Sequence, residues 1–155
     1  MGQRKTPTRD ELRIWRGYIE TSEALRSRLA SRLQDESSLS SGDYQVLLAL
    51  SEATGRTLRS SELAELIGWE RSRLSHHLGR MEKRGLLRRA RCPDDPHGID
   101  VALTDDGYSA FREGSIPHLM AIRELFIDAL SPEELTQIEN LTRTLRQHLN
   151  LPPAD

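Results

Sequence analysis

Three features of this 155-residue chain predict a mainly α (α+β) fold. Apolar residues recur at helical spacing on both sides of Gly68, giving two short helices joined by a tight turn. Past Gly85, two strand-like runs flank the turn Pro93-Asp94-Asp95-Pro96-His97-Gly98. Longer stretches of helical period precede and follow this core. Helix, turn, helix and hairpin in that order make a winged helix-turn-helix module with helices on either side. The expected organisation is an N-terminal arm and dimerisation helix over 1–38, the module over 39–104 and C-terminal dimerisation helices over 105–155.

Each element has a local cause. Met1 to Thr8 is polar and basic without an apolar segment, so it reads as a disordered arm and not as a secretory signal. Arg4, Lys5 and Arg9 are accordingly read as solvated rather than as phosphate contacts. Asp10 opens a long helix to about Gln34. Leu12, Trp15, Ile19, Leu29 and Leu33 form its stripe, Tyr18 and Leu25 widen it, and Ser22 and Arg26 break it, so it needs partners on more than one side. Ser40 or Ser41 starts the next helix, where Tyr44, Val46, Leu47, Leu48 and Leu50 predict near-complete burial until Thr54-Gly55-Arg56 ends it. Thr57-Leu58-Arg59 is expected as a third strand beside the hairpin.

Ser60 or Ser61 is the expected cap of the module's first helix, with Glu62 in its first turn and Leu63, Ala64, Leu66 and Ile67 on its apolar face. Gly68 ends it. The second helix runs from about Glu70 to Arg84. Leu74, Leu78 and Met81 face inward, and Arg71, Arg73, Ser75, His76, Arg80 and Lys83 face outward. Gly85 stops it, Leu86 to Arg91 is a basic strand, and Ile99 to Leu103 alternates as a half-buried second strand. Thr104 caps a helix that opens on Asp105 and Asp106 and runs to about Leu130, with a kink or break near Ile116 because Pro117 lies inside it. Ser131-Pro132-Glu133-Glu134 opens the last helix with cap, proline and acids, and Leu135, Ile138, Leu141, Leu145 and Leu149 form its stripe. Asn150 to Asp155 reads as a frayed tail.

Composition narrows the function. Hydrophobic residues are 36% and aromatics 5%, a thin core for one subunit, so apolar helix faces are expected to pack against a second copy. A single cysteine, Cys92, allows no intrachain disulfide and suits a reducing cytoplasm. No run approaches the roughly 18 apolar residues of a spanning helix. From Arg59 to Arg91 there are nine Arg plus Lys against four Glu, a segment of +5 inside a chain of −2. A basic face on a helix with a hairpin behind it is an electrostatic footprint for duplex DNA.

The chemistry of the residues assigns roles. Arginine grips guanine O6 and N7 with two donors, so Arg73 is the expected base reader; His76 would read less strictly, with Ser72 beside them. Arg71, Ser75, Arg80 and Lys83 are expected on phosphates, which position the helix without reading sequence. Ser60 and Ser61 at the start of the first helix, Arg89 and Arg91 at the wing base, and His97 at the wing tip complete the expected DNA contacts. His77 falls between Leu74 and Leu78 and is read as a core histidine with one hydrogen-bond partner. His76, His77, Cys92 and His97 share one module, but adjacent helical residues diverge by about 100° and neither CxxC nor HxxxH occurs, so no metal and no cofactor are expected. There is no GxSxG, no phosphate-cradling glycine loop and no recognisable carboxylate pair, so no enzyme is expected and no catalytic residue is named. Two alternatives stay open: a redox sensor whose Cys92 thiolate is favoured by Arg89 and Arg91, and a winged helix that binds an acidic protein.

Glu70 to Leu78, followed by Arg80-Met81-Glu82-Lys83-Arg84-Gly85-Leu86, resembles the recognition helix of the multiple-antibiotic-resistance regulator (MarR) family, and Asp95 to Thr104 resembles its wing. The flanking helices match in order and length, so the resemblance covers nearly the whole chain. It implies a cytoplasmic, dimeric transcription factor, a repressor released by a small aromatic or phenolic ligand, on a pseudo-palindromic operator. Where the long first helix and the helix after the wing meet the module, Trp15, Tyr18, Tyr44 and His118 are the expected ligand-binding residues. The sequence departs from the family pattern where Pro96 and His97 replace the wing's arginines, where His76 replaces an arginine, and where His77 replaces an apolar residue.

Overall fold

The computed structural model describes residues 6–153; Arg4 and Lys5 of the arm and Ala154 and Asp155 of the tail lie outside them. The elements are α1 (Arg9–Ser37), α2 (Ser41–Glu52), β1 (Thr57–Arg59), α3 (Ser60–Ile67), α4 (Arg71–Lys83), β2 (Leu87–Arg91), β3 (Ile99–Leu103), α5 (Asp105–Ile122) and α6 (Pro132–His148). They fall into two compact units, one of Ala30–His118 and one of Met1–Leu29 with Leu119–Asp155. The fold is mainly helical with one small antiparallel sheet, and the predicted third strand is present.

The unit of Ala30–His118 is the winged helix-turn-helix. Its sheet runs β1-β3-β2, with Leu58 opposite Val101 and Leu87 opposite Leu103. The core joins Leu47 and Leu50 of α2, Leu63 of α3, Leu74, Leu78 and Met81 of α4, Leu87 of β2 and Val101 of β3. These are the positions at which the helical and alternating periods coincide on one side, and their burial drives the packing.

The helix ends are closed by specific hydrogen bonds. At α2 the Ser40 hydroxyl accepts from the Asp43 N–H (3.0 Å), and the Asp43 carboxylate accepts from the Ser40 N–H (3.0 Å). At α3, Gly68 turns left-handed (φ 69°), so that its own N–H reaches Glu65 O and the Trp69 N–H reaches Ala64 O. At α4, Gly85 (φ 77°) does the same, with Gly85 N–H on Glu82 O and Leu86 N–H on Met81 O. Both ends are Schellman turns, which place a side chain just past the glycine back against the helix. Thr104 joins the start of α5 to the second turn: its hydroxyl donates to Gly85 O (2.6 Å) and accepts from the Gly107 N–H (2.9 Å).

Four expectations need correction. The cap of α3 is Arg59, not Ser60 or Ser61; Ser60 is already helical, and Glu62 reaches back to the Arg59 N–H (3.3 Å). Leu66 is 66% exposed, because α3 meets its neighbours along the edge of Leu63, Ala64 and Ile67. Leu48 likewise lies at the rim of α2. Pro117 neither breaks nor ends α5, which continues to Ile122; the irregularity is a π turn over Arg123–Ile127, closed by the Asp128 N–H on Arg123 O (2.8 Å).

In the other unit, α6 begins as its sequence predicts, with reciprocal bonds between Ser131 and Glu134 and Pro132 at the first position. Among the described residues of α6 none is buried. Just past the end of α6, Pro152 O accepts from Arg146 Nε (2.7 Å).

Gly107 is buried, and a Cβ there would collide with the Leu86 carbonyl, a backbone atom fixed by the Schellman turn of α4. Gly107→Ala is therefore expected to destabilise the chain by about 3 kcal/mol, read as a lowered urea midpoint with an unchanged slope. A midpoint equal to wild type would show that this crossing yields without cost.

Candidate nucleic-acid interface

The face of α4 is set by burial on its opposite side. Leu74, Leu78 and Met81 are at most 1% exposed, and this leaves Arg71, Ser72, Arg73, Ser75, His76, Arg80 and Lys83 exposed together. One side of this face rests on Trp69, the residue that the Gly68 turn directs back toward the helices. The Arg73 guanidinium lies over the Trp69 ring, 3.9 Å from its centroid, and this stacking restricts the side chain before any ligand is met. The Trp69 ring in turn meets His77 edge-on at 5.1 Å. A Cβ on Gly42 of α2 would come within 2.8 Å of Trp69 Cη2 and 2.9 Å of His77 Cε1, so the first turn of α2 is packed against both rings.

His77 leads from this aromatic contact into a buried polar node. Its Nε2 lies 2.9 Å from Asp43 Oδ1, and its Nδ1 lies 3.0 Å from Arg80 Nη2. Arginine only donates, so Nδ1 must hold a lone pair and the proton must sit on Nε2, donated to Asp43. Burial of the ring holds its pKa below the ordinary histidine value, against the opposing pull of Asp43 and with help from Arg80 and Arg73. Asp43 is 3% exposed. Burial alone would raise its pKa, but the Arg84 Nη1 bond (2.7 Å), the Ser40 N–H and the charge of Arg84 bring it below the ordinary aspartate value. Arg84 also donates to Ser38 O (3.1 Å).

The wing contributes unequally. Arg89 points back to α4: its backbone N–H, Nε and Nη2 all bond to Glu82 (2.8, 3.1 and 3.0 Å), and Nη1 reaches Ser75 O. These bonds, the backbone one first, lower the Glu82 pKa. Arg91 is exposed at the end of β2, and Pro96 and His97 are exposed at the tip. The tip is closed by Cys92 N–H on Gly98 O and Gly98 N–H on Asp95 O, and Arg59 reaches it from β1, 3.6 Å from Asp95 Oδ2. Ser60 and Ser61 are half-buried at the start of α3. Cys92 is buried, and the cation beside its Sγ is Arg59 (3.3 Å), where the sequence reading placed Arg89 and Arg91. Among the described residues no group of His, Cys, Asp and Glu is placed to hold a metal ion.

The expected ligand residues belong to both compact units. Tyr44 and His118 are in contact, ring centroids 4.5 Å apart, with Phe111 on Tyr44 at 5.4 Å and Ser115 Oγ 3.3 Å from the Tyr44 hydroxyl. Burial lowers the His118 pKa, and among the described residues its buried Nδ1 has no hydrogen-bond partner. Trp15 and Tyr18 belong to the other unit and are more than half exposed on α1. Sequence reasoning missed Trp69, Asp43, Arg84 and Arg59. An aromatic directly after a helix-ending glycine signals Trp69, and Ser40-x-x-Asp43 signals a capping box. Arg84 and Arg59 have no local signal, because their partners are distant in sequence.

A family model described as MarR family matches residues 37–95. The chain is 35% identical to AbsC, a MarR family transcriptional regulator from Streptomyces coelicolor, with a TM-score of 0.86 over 95% of this chain and 99% of that one. It is 35% identical to Sco3205, a MarR family transcriptional regulator from the same organism solved in complex with DNA, with a TM-score of 0.87 over 98% of this chain and 94% of that one. It is 28% identical to the transcriptional repressor MprA of Escherichia coli K12 over 69% of this chain, and spans 60% of the length of that curated relative.

Asp43 joins α2 to α4, so Asp43→Ala is expected to cost about 3 kcal/mol, discounted for the partial exposure of Arg84. The folded pKa of Asp43 is depressed, so its contribution is present above the unfolded value of about 3.9 and is lost as pH falls through the lower folded value. Chemical denaturation from about pH 7 to about pH 3 should show wild type and variant converging only in acid. A constant gap across that range would remove ionised Asp43 as the cause.

Proposed function

We propose that this chain, which belongs to the MarR family of transcriptional regulators, is a dimeric, sequence-specific DNA-binding repressor acting in the cytoplasm and released by a small aromatic ligand. Members of this family regulate transcription and are not enzymes. The carrying observation is α4: an exposed face of Arg71, Arg73, Arg80 and Lys83 above a fully buried stripe, with Arg73 already stacked on Trp69. A helix held this way presents its first turns to a major groove, where Arg73 reads a base and Arg71, Ser75, Arg80 and Lys83 hold phosphates. Sco3205, similar over nearly its whole length, was solved in complex with DNA, which supports the same use of this module. Arg89 serves here to brace the hairpin on α4, and Arg91 and His97 are the wing groups left facing outward.

The dimer is supported by apolar side chains outside the module. Ile14, Trp15 and Tyr18 of α1, Leu141 of α6 and Leu149 just past its end are each more than half exposed. Surface of that kind is costly on a lone subunit and is covered by a second copy in a two-fold pair, which also doubles the DNA site. Among the described residues no helix is long and apolar enough to cross a membrane. The ligand reading rests on Tyr44, Phe111 and His118, whose rings form one cluster, and on the buried His118 Nδ1, which among the described residues has no hydrogen-bond partner. A phenolic hydroxyl would satisfy that nitrogen.

Sedimentation should give a dimer, and sites selected from random duplexes should be pseudo-palindromes with half-sites about one helical turn apart. A stable monomer that binds no duplex at low salt overturns this reading. Arg73→Ala should cost about 1–3 kcal/mol and relax preference at one position per half-site, while Lys83→Ala weakens all sequences alike and flattens the salt slope by about 1. Identical behaviour of the two variants would abolish the division between reader and holder. At the wing tip, His97→Arg should tighten binding, because a permanent cation with a longer reach replaces an imidazole; unchanged affinity would place the tip outside the groove.

A further inference from the structure

Arg80 is exposed on the face assigned to DNA, yet its guanidinium is tethered, with Nη2 donating to His77 Nδ1 at 3.0 Å. The tether exists only while Nδ1 keeps its lone pair. The ring keeps it because Nε2 carries the proton and gives it to Asp43 Oδ1 at 2.9 Å. Asp43 is fixed in turn by the Ser40 N–H and by Arg84. A chain of hydrogen bonds therefore runs from the first turn of α2, through an imidazole that is largely enclosed, to the outer face of α4. We propose that His77 is a positioning residue: unprotonated, it holds Arg80 in the geometry that meets DNA, and a proton on Nδ1 releases Arg80 and weakens DNA binding. This inference deepens the DNA-reading assignment above and rests on it.

The sign follows from donors and charges. Imidazolium has N–H groups on both nitrogens, so a protonated Nδ1 would face the Arg80 guanidinium donor to donor and cation to cation. The groups that face His77 are Asp43 from α2, Arg73 and Arg80 from α4 itself, and the uncharged edge of Trp69 from the α3–α4 turn; Arg84 acts on it through Asp43. Asp43 favours the proton, while burial and the two arginines oppose it and leave the ring neutral at physiological pH. Acid then adds a proton to Nδ1, Asp43 stabilises the resulting imidazolium through Nε2, and the cost falls on the Arg80 bond. His76 and His97 are exposed on the outward side and take no part in the Asp43–His77–Arg80 chain.

The test is fluorescence anisotropy with the labelled duplex recovered by selection, at constant ionic strength, at about pH 7.5 and about pH 5.5. The protein carries His76→Gln and His97→Gln so that the outward histidines are silent. In this background the affinity should fall about fivefold to tenfold on acidification. Adding His77→Gln should bring the ratio of the two affinities to about one, whatever its affinity at neutral pH, because a glutamine amide donates to Asp43, accepts from Arg80 and cannot titrate. Arg80→Ala, an exposed substitution, should remove the same ratio. A fall in affinity that persists in His77→Gln or in Arg80→Ala overturns the proposal, and so does unchanged or rising affinity in the background protein. Absence of duplex binding at both pH values overturns the DNA-reading assignment and this inference with it.

Discussion

The buried carboxylate of Asp43 is the constraint on which the module depends. A charge this enclosed is tolerable only when it is hydrogen-bonded and paired, and here the carboxylate accepts three bonds. One bond closes the helix that carries it, one holds the recognition helix at His77, and one draws in Arg84 at the end of that helix. The node therefore ties the start of α2 to both the middle and the end of α4. Hydrophobic burial brings those helices together without fixing their register; directional bonds to a buried ion fix it.

Register matters because the outward face is built by leverage from the inward one. The Schellman turn after α3 places Trp69, and Trp69 gives Arg73 a surface to stack on. The same turn chemistry after α4 brings Leu86 back to Met81 and starts the hairpin, which Arg89 then pins to Glu82. Two positive-φ glycines thus set where the reading face begins and where the wing leaves it. Arg73, stacked on Trp69, has less freedom left to lose on meeting a ligand than a free surface arginine has.

The winged unit holds the buried core, whereas the other unit exposes Ile14, Trp15, Tyr18 and Leu141. Most of the core's largest buried side chains belong to the winged unit, whereas α6 buries none among its described residues. The buried core of the winged unit and the exposed apolar side chains of the other unit are therefore carried by different residues.

The sequence by itself determined the order and nature of nearly every element. Gly68, Gly85, Thr104 and Ser131-Pro132 marked boundaries, and Leu74, Leu78 and Met81 marked the buried side of the recognition helix, because such signals act within about one helical turn. It also read His77 as an inward histidine with one hydrogen-bond partner, which holds for Asp43, although Arg80 proved a second. What it could not decide was pairing across the chain. The spacing Ser40-x-x-Asp43 can signal a local cap at most, and the other partners of Asp43 lie 34 and 41 positions away. Strand alternation could not tell that Arg89 would turn to Glu82 while Arg91 stayed free of it, nor helical spacing that Leu66 would miss the core that Leu63 enters. Only the tertiary structure decided these points, because a side chain's partner is chosen by distance in space, and the periodicity of a sequence encodes direction but not distance.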